Sequence, residues 1–101
     1  MEKRKTVRYA LHSPVILRWV DQSGAEQEDV GRTLDISVSG TFVVCHTPLP
    51  VGAQVSLEVH LPPFERITSQ RLRLKANAII TRVTQAGEKA GFATCGPFIL
   101  V

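Results

Sequence analysis

The chain has 101 residues, 44% of them apolar and 21% charged, which suits one folded domain with one core and argues against wholesale disorder. No apolar run approaches the ~20 residues that span a bilayer, and the charged start leads into no signal-type apolar stretch; a cytoplasmic protein without membrane insertion is expected. The net charge of +3 sits at one end, where Lys3, Arg4, Lys5 and Arg8 stand against Glu2, while the remaining basic and acidic residues cancel. A short basic arm suits a compact anion better than a long polyanion lying across a face.

In chain order, the arm gives way to "PVILRWV" at 14–20, rich in β-formers and opening on a proline that a strand start tolerates. "DQSG" at 21–24 is a turn signal. "GRTLDIS" and "TFVVCH" then flank a turn that contains Gly40. After the turn signal "PLPVG" at 48–52, "VSLEVHL" places Val55, Leu57, Val59 and Leu61 on one face and Ser56, Glu58 and His60 on the other. "PPFE" at 62–65 is the next break. "LRLKANAI" repeats the alternation, with Leu72, Leu74, Ala76 and Ala78 inward and Arg73, Lys75 and Asn77 outward. The phase blurs at Ile79–Ile80, which predicts a bulge or bend there. A turn over "QAGE" at 85–88 and a short strand in "AGFATC" close the series.

No segment carries a 3.6-residue apolar period. Evenly spaced short strands without crossover helices imply an antiparallel barrel or sandwich. About six strands in so short a chain would leave costly edges unless the sheet closed. The expected fold is all-β: a small six-stranded antiparallel β-barrel over residues 13–101, carrying a flexible basic N-terminal arm over residues 1–12.

Other chemistry finds little support. Cys45 and Cys95 lack CxxC spacing and are expected to be reduced and semi-buried. His12, His46 and His60 fall in separate segments without metal-ligand spacing, so no metal is expected. Ser37 has no evident base partner, and no paired acid–base motif occurs; the chain is expected not to be an enzyme. Trp19 and Phe92 fit the core, Tyr9 is expected to pack against the barrel, and Phe64 behind two prolines sits on a stiff loop. With six aromatics in all, a base-stacking surface for DNA or RNA is not expected.

Two motifs stand apart from this background. With eight arginines in the chain, R-x-x-x-R at Arg4 and Arg8 has roughly 0.6 chance occurrences and says little alone. D-x-S-x-x-G at Asp35, Ser37 and Gly40 has roughly 0.01, so the two together are specific. A guanidinium fork matches the O6/N7 acceptor edge of guanine and pairs equally with phosphate. A carboxylate can accept from guanine's N1–H and N2 amine. Ser37, two residues on, would share Asp35's face of a strand, and Gly40 would allow positive φ and close ligand approach.

Together, "RKTVR" and "DISVSG" resemble the signature of the PilZ domain family, and the resemblance covers nearly the whole chain, including "SPVILRWV" and the closing "AGFA". It implies a bacterial receptor for the second messenger cyclic di-GMP, built on a six-stranded antiparallel barrel. It further implies a site on the barrel exterior formed by Arg4, Arg8, Asp35, Ser37 and Gly40, with Gly91 bordering a guanine and the ligand bound as an intercalated pair. No cofactor beyond this ligand is implied. Binding would order the arm and change the surface offered to an unidentified downstream protein, with outputs such as motility, surface polysaccharide or virulence usual for the family. The competing reading is an adaptor with the same barrel and no useful nucleotide affinity, acting through Phe64 or the chain end. Two departures stand out. Lys3 precedes the first signature arginine where a basic or acidic residue is frequent, which bears on affinity and stoichiometry. The chain also ends on "GPFILV", so that Phe98–Val101 either cap the barrel or expose an apolar edge.

Overall fold

The computed structural model describes residues 8–61, 73–86 and 89–100. Its strands are β1 (Tyr9–Ala10), β2 (Pro14–Val20), β3 (Glu26–Ser37), β4 (Gly40–Cys45), β5 (Gln54–His60), β6 (Arg73–Ala86), β7 (Lys89–Cys95) and β8 (Ile99–Leu100). Every pairing is antiparallel, and the order β3-β2-β5-β6-β7-β4 returns to β3 through a β3–β4 ladder. Six strands therefore close into the expected barrel, which removes the open edges a short sheet would expose. β1 lies alongside β3, and β8 alongside β6, outside that ring. No helix among the described residues is long and apolar enough to cross a membrane.

The alternating residues fill the barrel. Val15 and Leu17 from β2, Val43 and Cys45 from β4, Val55, Leu57 and Val59 from β5, Ala78 and Ile80 from β6, and Ala90 and Phe92 from β7 form one buried cluster. Trp19 and Phe98 pack against its margin, half-buried. Burial pushes the Cys45 thiol up to about 11, while Cys95 faces solvent rather than being semi-buried as expected; both are free.

Two strands are longer than the pattern suggested. β3 starts at Glu26, five residues before "GRTLDIS", because it pairs with β2 down to Val20–Glu26 across the "DQSG" turn. Asp21 organises that turn: Oδ1 accepts from Ser23 N, Ser23 Oγ and Ala25 N, and Oδ2 from Gln27 Nε2. These bonds, that of the Ser23 hydroxyl foremost, hold the Asp21 carboxyl at about 2. β6 runs for 14 residues because it serves two partners, β5 with its first half and β7 with its second.

Among the described residues, the outer face carries one buried acid. Glu58 takes the outward position the alternation assigns it, yet is only 5% exposed. Arg18 Nη1 of β2 lies 3.3 Å from Oε1, Arg73 Nη1 of β6 lies 3.2 Å from Oε2, and His60 Nε2 lies 2.8 Å from Oε2. Burial alone would raise this carboxyl; the hydrogen bonds from Arg18 and Arg73 outweigh it and leave it below its usual 4.5. Tyr9 departs from expectation: on the outlying β1 its side chain is 63% exposed, instead of packed. The chain end divides, with Phe98 against the core and Ile99 and Leu100 exposed. Phe64, Leu72 and Val101 lie outside the described residues.

Candidate ligand-binding site

Residues 11–13, which lead into the barrel, are held to it by a buried hydroxyl. Thr33 of β3 is fully buried; its Oγ1 donates to the Leu11 carbonyl and accepts from Ser13 N at 3.0 Å. Backbone bonds from Leu11 N to Leu34 O and from Thr33 N to Ser13 O fix the same stretch. β1 then runs antiparallel to the end of β3, with Tyr9 opposite Ile36 and Ala10 opposite Asp35. Residues 9 and 10, expected within the flexible arm, are thus part of the sheet. Arg8, one residue before β1, is a diagonal neighbour of Asp35, within reach of a long side chain.

Two of the expected site residues meet. Arg8 donates from Nε at 3.1 Å and Nη2 at 2.8 Å, both to Asp35 Oδ1, with the two side chains 31% and 35% exposed. Arg4 lies outside the described residues.

Beyond this pair, the register lays out a row across the barrel exterior. Asp35 is opposite Phe42 of β4, Phe42 opposite Ala93 of β7, and Ala93 opposite Arg82 of β6. A cavity of about 590 Å³ follows this row, with Arg8 and Asp35 at one end, Thr81 and Arg82 at the other, and Phe42, Ala93 and Thr94 between. Arg82 is placed by a bulge: Ile80 pairs with Thr94 and Arg82 with Ala93, leaving Thr81 as the extra residue. The Thr81 hydroxyl donates to the Ala93 carbonyl at 3.1 Å, and Thr81 and Arg82 are both exposed. Sequence reading missed Phe42, Thr81 and Arg82. Its one signal was the blurred alternation at Ile79–Ile80, next to the observed bulge.

Ser37 and Gly40 stand differently from expectation. Ser37 is 5% exposed, and its Oγ accepts from Ser39 N at 3.3 Å and lies 3.4 Å from Gly40 O. Its hydroxyl is folded into the two-residue turn that joins β3 to β4. Gly40 does not use positive φ; among the described residues only Gly24 and Gly52 do. Its lack of a side chain serves packing, since a Cβ there would lie 2.1 Å from the Thr94 carbonyl oxygen. Gly91 likewise makes room for a neighbour. A Cβ at Gly91 would lie 2.6 Å from Phe42 Cζ and 2.9 Å from Thr84 Oγ1, so the absent side chain seats the Phe42 ring.

Chemically, the row offers a carboxylate with one oxygen committed to Arg8, an aromatic ring, a low methyl floor and a guanidinium. That set suits a flat, polar, anionic ligand. No group of His, Cys, Asp and Glu among the described residues is placed to hold a metal ion.

Comparison with known proteins agrees with this architecture. The model of the PilZ domain family matches residues 2–95. The chain is similar to the structure of the Bacillus subtilis inhibitor of motility (MotI/DgrA), with a TM-score of 0.70 and 19% identity over 95% of this chain and 43% of that one. It is similar to the K. pneumonia MrkH–c-di-GMP complex, with a TM-score of 0.57 and 17% identity over 98% of this chain and 45% of that one. The PilZ domain of YcgR from Escherichia coli, solved with c-di-GMP, gives 0.50 and 16% over 94% and 78%. The chain spans less than half the length of the first two of these proteins. No curated protein matches it. At such identities the structural likeness carries the fold, and the family assignment rests on the match along nearly the whole sequence: the chain belongs to the PilZ domain family.

Proposed function

We propose that this domain is a receptor for cyclic di-GMP in bacterial second-messenger signalling, a binding module and not an enzyme. The observation that carries the reading is the Arg8–Asp35 pair at one end of an outer cavity whose other end is a second guanidinium. Two of the similar structures are named for their complexes with that nucleotide. Asp35 would accept from a guanine's N1–H and N2 amine. Arg8, and Arg4 further along the arm, would take phosphate or the O6/N7 edge. Ser37, Gly40 and Gly91 serve this site by holding the turn and seating Phe42. A cytoplasmic setting is part of the reading.

Magnitudes favour exchange of the arm from Asp35 to ligand. A partly exposed ion pair such as Arg8–Asp35 contributes about 1 kcal/mol or less, so a ligand that shares or replaces it gives up little. The arm then closes over the nucleotide and alters the surface presented to a downstream protein.

Calorimetric titration of the parent, Arg8→Ala and Asp35→Ala with cyclic di-GMP tests this. Each variant should lose roughly 10- to 150-fold in affinity, and the molar ratio reports whether the ligand binds as an intercalated pair. Variants that bind like the parent would refute the site. The adaptor reading draws on one observation: Ser37 and Gly40 are fully accounted for by the turn and by strand packing. A melting scan separates the two readings. Ligand at one hundred times its dissociation constant stabilises the folded form by about 2.7 kcal/mol, a rise of roughly 10–20 °C for a domain of this size. No shift well above micromolar ligand would overturn the receptor reading and leave the adaptor as the reading to test.

A further inference from the structure

Arg82 belongs to no sequence motif, yet three features single it out. The Thr81 bulge turns it outward onto the same row as Asp35, at the opposite end of the cavity. Its guanidinium, like that of Arg32, meets no carboxylate among the described residues, whereas Arg8, Arg18 and Arg73 are each paired with an acid; Arg32 does not line this cavity. Between it and Phe42 the row carries only the methyl group of Ala93, so the floor beside it is low and flat.

Resting on the cyclic di-GMP reading above, we infer that Arg82 contacts the nucleotide and reads the O6/N7 edge of a guanine whose donors face Asp35. The row spans three interstrand spacings, about 14 Å, room for one purine with a hydrogen bond at each side. In guanine, the N7 acceptor lies across the ring from the N2 amine. A base presenting N1–H and N2 to Asp35 therefore turns N7 toward the Arg82 end, with O6 on the flank between the two edges. The guanidinium fork matches O6 and N7 together, which an ammonium does not. Phe42, seated over Gly91, supplies apolar contact along the way. Asp35 and Arg82 would then select guanine jointly, one reading donors and the other acceptors.

The test is a cycle between protein and ligand, using titration calorimetry of the parent, Arg82→Ala and Arg82→Lys. The probes are cyclic di-GMP and its 7-deazaguanine analogue, which lacks the N7 acceptor. The melting temperature of each unliganded variant serves as the folding control. Arg82→Ala should weaken cyclic di-GMP by roughly 10- to 100-fold with unchanged melting, and Arg82→Lys should recover little of it. The 7-deaza change should cost the parent about tenfold and Arg82→Ala less than about twofold, the coupling expected of groups in contact. If Arg82→Ala weakens both probes equally, the guanidinium does not read N7 and the inference fails. If Arg82→Ala binds both as the parent does, Arg82 makes no contact, while the receptor reading stands. A parent that binds neither probe overturns the receptor reading itself, and this inference with it.

Discussion

Gly40→Ala discriminates sharply between a glycine kept for the ligand and one kept for the barrel. A Cβ at this position would lie 2.1 Å from the carbonyl oxygen of Thr94 and 3.1 Å from its carbon. The first distance is more than about 1 Å inside ordinary contact. Both partners are backbone in neighbouring strands, at the Gly40–Cys95 pair of the β4–β7 ladder, so no side chain can rotate away. β4 and β7 must separate, a form of overpacking that costs about 1–3 kcal/mol, here at the upper end because the clash is with backbone, offset by about 0.5–1 kcal/mol from the lost freedom of glycine in the unfolded chain. A net loss near ~2 kcal/mol lowers the melting temperature by roughly 8–16 °C. The assay is thermal and urea unfolding of the variant without nucleotide. Gly24→Ala serves as a comparison, because its φ is +87° with nothing within 4 Å of the added Cβ, so its strain is local. A Gly40→Ala protein that melts within about 2 °C of the parent and yet no longer binds nucleotide would refute the reasoning.

Ser37→Ala removes the hydroxyl that closes the β3–β4 turn, so it should cost about 1 kcal/mol in urea unfolding, while titration shows nucleotide affinity reduced less than about fivefold. Gly91→Ala would meet the far end of the Phe42 ring and the Thr84 hydroxyl, and the ring can turn aside for about 1 kcal/mol; nucleotide affinity should fall, and in a Phe42→Ala background the same substitution should cost less affinity, with only the Thr84 contact remaining. Glu58 has a folded-state pKa below its usual 4.5, so its stabilisation is present above that value and lost as pH falls through it. Melting temperatures of Glu58→Gln across about pH 3–7 should show a flatter acid limb than the parent's, with the slope from Asp21 remaining at the lowest pH.

The barrel was legible wherever one side of a strand faces the core and the other faces water. "VSLEVHL" alternates because Val55, Leu57 and Val59 are buried within the barrel. The first third of β3 was not legible, because Glu26–Asp29 belong to a projecting hairpin that buries little and so carries no alternation. Glu58 was placed on the correct face but not recognised as buried, since its cover comes from Arg18 and Arg73 on strands remote in sequence. In the site, the shared location of Arg8 and Asp35 was implied by the family resemblance, but their direct ion pair was not expected, because each was assigned to the ligand rather than to the other. Phe42 and Arg82 could not follow, because residues 35, 42, 93 and 82 come into line only through the pairings that close the barrel.

The same pairings explain why a candidate site exists on this flank at all. In a regular pleat, residues two apart share a face, so Asp35 would point inward with Thr33, and Arg82 inward with Ile80. Thr33 and Ile80 are indeed buried, at 0% and 1% exposure. Between Thr33 and Asp35 the register slips by one residue against β4, and between Ile80 and Arg82 it slips by one against β7. Each bulge reverses the phase of its strand and brings a charged residue out where the unbroken alternation would bury it. β4 and β7, lying between, keep their regular phase, with Val43 and Phe92 inside and Phe42 and Ala93 outside. The two slips thus act on the outer strands of one four-strand stretch and set an acid and a base at its two ends. Had either slip been absent, continued alternation would have put an unpaired charge into a closed apolar barrel, which the fold could not tolerate. The bulges at Leu34 and Thr81 are therefore requirements of the sequence as much as features of the site, and they tie the ability of this chain to close its barrel to the charges it displays outside.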